Sequence, residues 1–299
     1  MAGAFTAVDL SQLSFPDAVE SLNYETILTA MLADLQAHFP EFSALVESDP
    51  AFKIMEVCAY REVLLRQRVN EAVKAVTLAY AAGADLDQIA ARYDVERLLL
   101  VAEDLTTTPV TLAVYEDDDS LRRRVQLSFE GFSTAGPEGA YVFHALGADA
   151  DVLDVAVTSP TPGVVSVAVL SRESNGTPSF ELLAAVDATL SADNVRPLTD
   201  NVNVSAGQII NYSVVASLVL FDGPDANVVI QGALAAMEAY ATASHRLGRD
   251  VTLSGIYAAL HQPGVQRVAL SSPVADIVTA WNQAAYCLGI TLTSGGVDA

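Results

Sequence analysis

Histidine is the side chain best suited to acid–base work near neutral pH, and this 299-residue chain has four: His38, His144, His245 and His261. They are scattered, and none has a second His, Cys or carboxylate at the spacing of a metal site or a catalytic dyad. His144 and His261 each close an apolar, helix-like stretch, where a donor favours the negative end of the helix dipole. Glu116-Asp117-Asp118-Asp119 gathers carboxylates that could attract a divalent cation, but no further ligand stands at the required spacing. The run reads instead as solvated acids in the first turn of a helix, with Arg122-Arg123-Arg124 following to neutralise them.

Two loops invite a chemical reading. Gly131 to Gly139 is rich enough in glycine to cradle an anion, yet it also has the composition of a turn feeding a capped helix. Ser133 or Thr134 would stand near the start, Pro137 where no N–H is needed, and Glu138 in the first turn. His245-Arg246-Leu247-Gly248-Arg249-Asp250 resembles a kinase loop only in its letters, since no Gly-rich loop or Asp-Phe-Gly accompanies it. It reads as a helix end followed by a Gly turn. Cys58 and Cys287 form no C-x-x-C pair and read as small buried hydrophobes. The P-loop, G-x-S-x-G, H-E-x-x-H and G-x-G-x-x-G signatures are absent. The expectation is a protein with no catalytic, cofactor-binding or metal site, and no enzyme activity.

Charge narrows the function further. The sequence has 37 Asp and Glu against 15 Lys and Arg, a formal net charge of −22. Nucleic-acid binding needs clustered cations to displace counterions, and the one Arg cluster directly follows the acidic run, so nucleic acid is not an expected partner. The mean hydropathy is positive at +0.34, and 52% of residues are hydrophobic, enough for a substantial core. Even so, the longest greasy run, Leu98 to Ala102, falls far short of the roughly 20 residues of a spanning helix. Met1 to Leu10 has no positive charge and no apolar h-region, so neither a membrane nor a secretory route is expected.

The elements that would position these residues begin with helices. Tyr24 to His38 repeats apolar residues at Ile27, Leu28, Met31, Leu32 and Leu35, and ends before Pro40. After Asp49-Pro50 the periodicity predicts a long helix from about Phe52 to Ala82, with Gly83 as its cap. Met55, Cys58, Leu65, Val69, Ala72 and Val76 lie on its a/d-like seam and are the candidate partner-helix interface. A stripe this long needs a bundle or partner helix, or else an intramolecular helical hairpin. A short helix over about Asp85 to Tyr93 follows.

Beyond Glu96 the pattern turns to strands at Leu98 to Val101 and Val110 to Tyr115, then a helix over Asp117 to Phe129. The second half suggests a weak internal repeat. A helix ending at Leu146 leads to a strand and Ser159-Pro160, and a helix ending at His261 leads to a strand and Ser272-Pro273. Further strands are expected at Val164 to Leu170, Val202 to Val204, Tyr212 to Phe221 and Tyr286 to Leu292. Helices are expected at Phe180 to Leu190 and Asp225 to Ser244. The expected fold class is α+β, with an N-terminal long-helix bundle segment, a small β linker region and two small α+β domains. The expected boundaries are 1–97, 98–207 and 208–299.

Several segments resemble the phrases of the baseplate assembly protein J family of contractile-tailed bacteriophages and R-type pyocins. They include Glu56-Val57-Cys58-Ala59-Tyr60-Arg61-Glu62, Arg66 to Asn70, Ala82 to Asp87, and Leu121 to Leu127. Ser133 to Tyr141, Val195-Arg196-Pro197-Leu198-Thr199-Asp200, His245 to Asp250, and Ala284 to Cys287 continue the likeness, collinear over essentially the whole chain. Ser128 to Phe132 departs from it, being bulkier than expected.

The resemblance implies a structural protein of the viral baseplate with no catalytic residues to carry over. It implies a wedge in which two copies of the chain associate with one tail protein I-like partner, their N-terminal helices forming a bundle. The C-terminal domains would link wedges into a ring around the central hub and spike, and that ring would open on contraction. A sheath-initiator protein would sit against the bundle. The particle would be a virion or tail-like particle assembled in the bacterial host cytoplasm. A scaffold or adaptor of another macromolecular assembly is the alternative reading.

Overall fold

The structure, a computed structural model, describes residues 8, 10, 13–16, 18, 20–40, 49–133, 136–223 and 225–298. The chain divides into two compact units. One runs through Arg97 and takes in Asp117–Val125; the other comprises Leu98–Glu116 and the chain from Gln126 onward.

In the helical unit, α1 (Tyr24–His38) starts where the Asn23 side chain accepts a hydrogen bond from Thr26 N–H, and α2 (Pro50–Ala75) starts at Asp49, which accepts from Ala51 N–H. Pro50 suits the first helical position because its missing N–H has no partner to lose. Ile27 and Leu28 of α1 pack with Ala59 of α2, flanked by Phe52, Met55 and Val63. Burying each of the two large aliphatic side chains contributes about 1.5–3 kcal/mol.

The long helix is shorter than its periodicity predicts, ending at Ala75 and not near Ala82. Thr77 follows, its hydroxyl donating to the Lys74 carbonyl and so competing with the helical ladder. Tight turns through Tyr80 replace the expected last turns. Gly83, at φ +53°, therefore opens α3 (Gly83–Ala91) and does not cap α2.

The next helix, α4 (Asp118–Gly131), contributes its first half to this unit. Its acids are not merely solvated, as expected from the sequence. Asp118 accepts from the Arg97 guanidinium at 2.7 Å and faces Gly83 N–H, while Arg97 also holds Asp87 at 2.8 Å. Burial alone would raise the Asp118 carboxyl, but Arg97 and the Gly83 N–H outweigh it and hold the group below the usual carboxylate range. Arg122 pairs with Asp119 and donates to the Leu78 and Ala81 carbonyls, closing the turns that follow α2.

The second unit opens with a small antiparallel ribbon, β1 (Leu99–Val101) on β2 (Val114–Tyr115). After α4 comes α5 (Glu138–Leu146), with Pro137 at its cap and Glu138 in its first turn. Ser133 lies ahead of this cap, and Thr134 falls outside the described residues. A three-stranded sheet follows in the order β3 (Val152–Thr161), β4 (Val164–Ser171), β5 (Asn201–Ala206). Strands β3 and β4 are antiparallel, and β4 and β5 are parallel, joined by the crossover helix α6 (Phe180–Leu190). Val167, Val169, Leu182, Val186 and Leu190 fill the core between helix and sheet.

Gly207 turns the chain into β6 (Gln208–Phe221), the central strand of a second sheet. Then come α7 (Ala226–Ser244), α8 (Leu253–Leu260), β7 (Val265–Ser272) and β8 (Gln283–Asp298), with strand order β7-β6-β8. Val214, Leu218, Leu220, Ala233, Met237, Ile256 and Leu260 form its core.

Both sheets pair a central strand with one antiparallel and one parallel neighbour, but the chain visits the three positions in a different order. The helix–turn–strand phrase of the expected repeat does recur, α5 leading into β3 and α8 into β7, each the antiparallel edge of its sheet. The central strand, however, follows the phrase in the first sheet and precedes it in the second. Nor does Ser159-Pro160 stop a strand: Pro160 lies inside β3, an edge strand where a missing N–H costs no ladder bond.

Candidate interaction surface

The loops that suggested chemistry have structural work within the second unit. Gly136, at φ +71°, lies against Pro197, and Tyr141 donates its hydroxyl to Asp200 Oδ2 at 2.8 Å. The segment around Gly136 and the segment Val195 to Asp200 thus close on each other. His245 caps α7, with its Nδ1 2.8 Å from the Ala285 carbonyl. Leu247 N–H donates to Asp154 Oδ2 on β3, Gly248 N–H to the Gln283 carbonyl, and Asp250 Oδ1 accepts from Thr279 N–H and hydroxyl. This stretch therefore ties the two sheets of the unit together and holds no reacting group.

The other candidates are equally dispersed. His38 is exposed, with Nδ1 at the Asp34 carbonyl, and His261 caps α8. Burial holds His144 below the usual imidazole range, partly offset by a hydrogen bond to the Gly131 backbone. Burial raises the Cys287 thiol, the reverse of what a reactive thiolate needs. Among the described residues no three His, Cys, Asp or Glu could hold a metal ion, and no helix is long and apolar enough to cross a membrane.

What does stand out is α2, because it is apolar on two sides. One side faces α1. The opposite side carries Ile54, Val57, Cys58, Leu64, Leu65, Val69 and Ala72, all exposed, with Leu65 at 62%. Val76, just past the helix end, is 71% exposed. Of the six seam residues predicted from the sequence, Cys58, Leu65, Val69, Ala72 and Val76 thus share an uncovered stripe. Met55 does not share it: it is half-buried against the α1 contact. Exposed apolar stripes bordered by polar side chains are the kind of surface on which partners dock, which makes this one the candidate interaction surface.

The stripe is held out by contacts that periodicity does not reveal. Asn70, buried on the far side of α2, clamps the Glu20 backbone, its Oδ1 accepting from Glu20 N–H and its amide donating to the Glu20 carbonyl, each at 2.8 Å. Arg66 reaches Glu20 and Glu62, and Phe15 stacks on Tyr80 with Lys74 over its ring. Phe15 and Glu20, ahead of α1, therefore lie along the helix away from the stripe. A buried polar residue in an apolar repeat was the available signal for Asn70.

Two family models match this chain: the Baseplate J-like N-terminal domain over residues 47–104, which contains the stripe, and the Baseplate J-like central domain over residues 133–206. A cryo-EM structure of the anti-feeding prophage (AFP) baseplate is similar over 61% of this chain, with 16% identity and a TM-score of 0.43. This chain spans 46%, less than half, of that one. Baseplate protein J of Escherichia phage P2 is 47% identical over 298 residues, 97% of this chain and 99% of that protein. With that identity over nearly the full length of both proteins, the chain belongs to the baseplate J family.

Proposed function

We propose that this chain, a structural subunit of a phage-type tail baseplate and not an enzyme, acts as a wedge component whose α2 stripe is buried against partner helices during assembly. The observation that carries the reading is the row Cys58, Leu65, Val69 and Ala72, left open although α1 already covers the other side of α2. The wedge would hold two copies of the chain and one tail protein I-like partner, with a sheath-initiator protein beside the bundle. The α+β unit would join neighbouring wedges in a ring around the central hub and would change arrangement on contraction. Assembly in the host cytoplasm and residence in the tail of the finished particle complete the proposal.

The test is Leu65→Asp with Val69→Asp. Both side chains are exposed, so the variant is expected to keep its circular dichroism spectrum and unfolding midpoint. Electron microscopy of lysates should then show no complete tails. Tails of normal number and form would refute the docking role of the stripe.

A further inference from the structure

The α2 stripe is not uniformly apolar. Arg61 and Arg68 lie along its middle, in line with Ile54, Cys58, Leu65 and Ala72 at alternating steps of three and four. Both are exposed, and neither forms an ion pair among the described residues. With Leu64, Leu65, Gln67 and Glu71 they line a shallow hollow on the helix. They stand one heptad apart, about 10 Å along the axis at 1.5 Å per residue. The helix as a whole carries five of the chain's 15 cations against three carboxylates, although the chain's net charge is −22.

Covering two guanidinium groups with apolar side chains alone would strand buried charge, which costs far more than the packing returns. A partner must therefore bring anions to the same two places, and Arg matches a carboxylate in bidentate fashion. A second copy of α2 does not supply them. Side by side and parallel, it sets Arg61 against Arg61 and Arg68 against Arg68. Antiparallel, only Glu56 and the cap residue Asp49 stand at that spacing, and they are already engaged by Lys53 and the Ala51 N–H. Its own acids, Glu56, Glu62 and Glu71, are six and nine residues apart, and Glu62 is already held by Arg66. No other helix among the described residues carries two carboxylates seven positions apart.

We infer that the helix docking on α2 comes from a different chain and carries two carboxylates one heptad apart within its apolar seam, paired with Arg61 and Arg68. The inference rests on the docking role proposed above and adds to it the chemistry of the occupant. The two cations act as a register key, since sliding the partner by one turn misaligns both pairs at once.

The probes are three synthetic amphipathic peptides of equal length, alike except for two seam positions seven residues apart, which are Glu, Gln or Lys. Binding to the full chain is read by fluorescence anisotropy at low and high salt. The Glu peptide should bind at least tenfold tighter than the Lys peptide at low salt, and Arg61→Glu with Arg68→Glu should reverse the order. Equal binding of Glu and Lys peptides, an unreversed preference, or no binding by any peptide would overturn the inference. A salt-sensitive dimer of the chain alone, broken by the same reversal, would also overturn it by assigning the stripe to a second copy. Loss of all peptide binding in Leu65→Asp with Val69→Asp separates the two levels. If it occurs without a Glu preference, docking stands and the charge key fails; binding that survives it removes both.

Discussion

Tyr141 and Asp200, 59 residues apart, meet through one hydrogen bond that pins α5 to the turn before β5. The tyrosine is buried, so its hydroxyl has no ready alternative partner. Tyr141→Phe should cost about 1 kcal/mol by urea denaturation, and Asp200→Asn less, because an amide still accepts. Burial and the Asp200 carboxylate both raise the Tyr141 hydroxyl above its ordinary value of 10.0. In the folded state it stays neutral where the unfolded chain ionises. Its contribution is therefore complete below about pH 10 and is lost as the pH climbs above that value. Tyr212, raised by burial, adds to the same slope. Unfolding midpoints measured between about pH 8 and 11 should fall less steeply in the Phe variant.

Arg97 and Asp118 give the opposite limb. Asp118 is held below the usual carboxylate range, so its contribution is present above about pH 4 and is lost as the pH falls through its folded value. Its side chain is 34% exposed, so Asp118→Asn should cost only about 1 kcal/mol at neutral pH. Acid titration followed by circular dichroism should show a shallower loss in the Asn variant. Arg97→Lys should not restore the wild-type curve, since an ammonium cannot reproduce a fork shared between Asp87 and Asp118.

Gly176 and Gly232 should respond in opposite directions to alanine. Gly176 has φ +94°, and an added Cβ would stand 2.6 Å from Leu170 Cδ1 and 2.7 Å from His245 Nε2. Gly176→Ala should cost about 2 kcal/mol from strain and overpacking together. Gly232 is exposed within α7 with nothing near its missing Cβ, so Gly232→Ala should add about 0.5–1 kcal/mol. Thermal unfolding of the two single variants decides both signs.

The histidines divide by burial and not by chemistry. His38→Gln and His261→Gln should leave stability and particle activity unchanged within about 0.5 kcal/mol. His245→Gln should cost about 1–2 kcal/mol, because its ring joins the Ala285 carbonyl and packs edge-on against Tyr286. Whatever the cost, activity should fall only as far as assembly falls. Fully assembled but inert particles from any of the three would contradict a structural role.

Locally encoded elements were the legible ones. α6 follows its prediction because Ser179 caps it and Leu182, Val186 and Leu190 recur at four-residue steps. β8 is far longer than the apolar run from Tyr286 to Leu292. Its Thr-Ser-Gly-Gly end carries little hydrophobic signal and is extended by pairing with β6, a long-range cause that periodicity cannot register. The end of α2 was missed because Val76 and Ala79 keep the helical spacing while the Thr77 hydroxyl breaks the ladder. Most of the candidate interface was legible as a heptad seam. What was not legible is that Met55 serves the α1 contact, and that Asn70 fixes which side of α2 stays open.

The placement of β6 between β7 and β8 sets an order of folding. β6 and β7 can pair once residues through Ser272 have left the ribosome, by closing a chain loop that contains α7 and α8. The parallel partner cannot register until the stretch after Gln283 follows, since Gln208 matches Gln283 across 75 residues. Until then one whole edge of the central strand is bare, and the Ile210, Val214 and Leu218 positions lack their neighbours. Closing a loop of that length adds little to the entropic cost relative to a shorter one, but it delays the step that seals the sheet. Until that last strand pairs, the bare edge of β6 is a template on which a strand of another unfinished chain could pair, a hazard that grows with chain concentration.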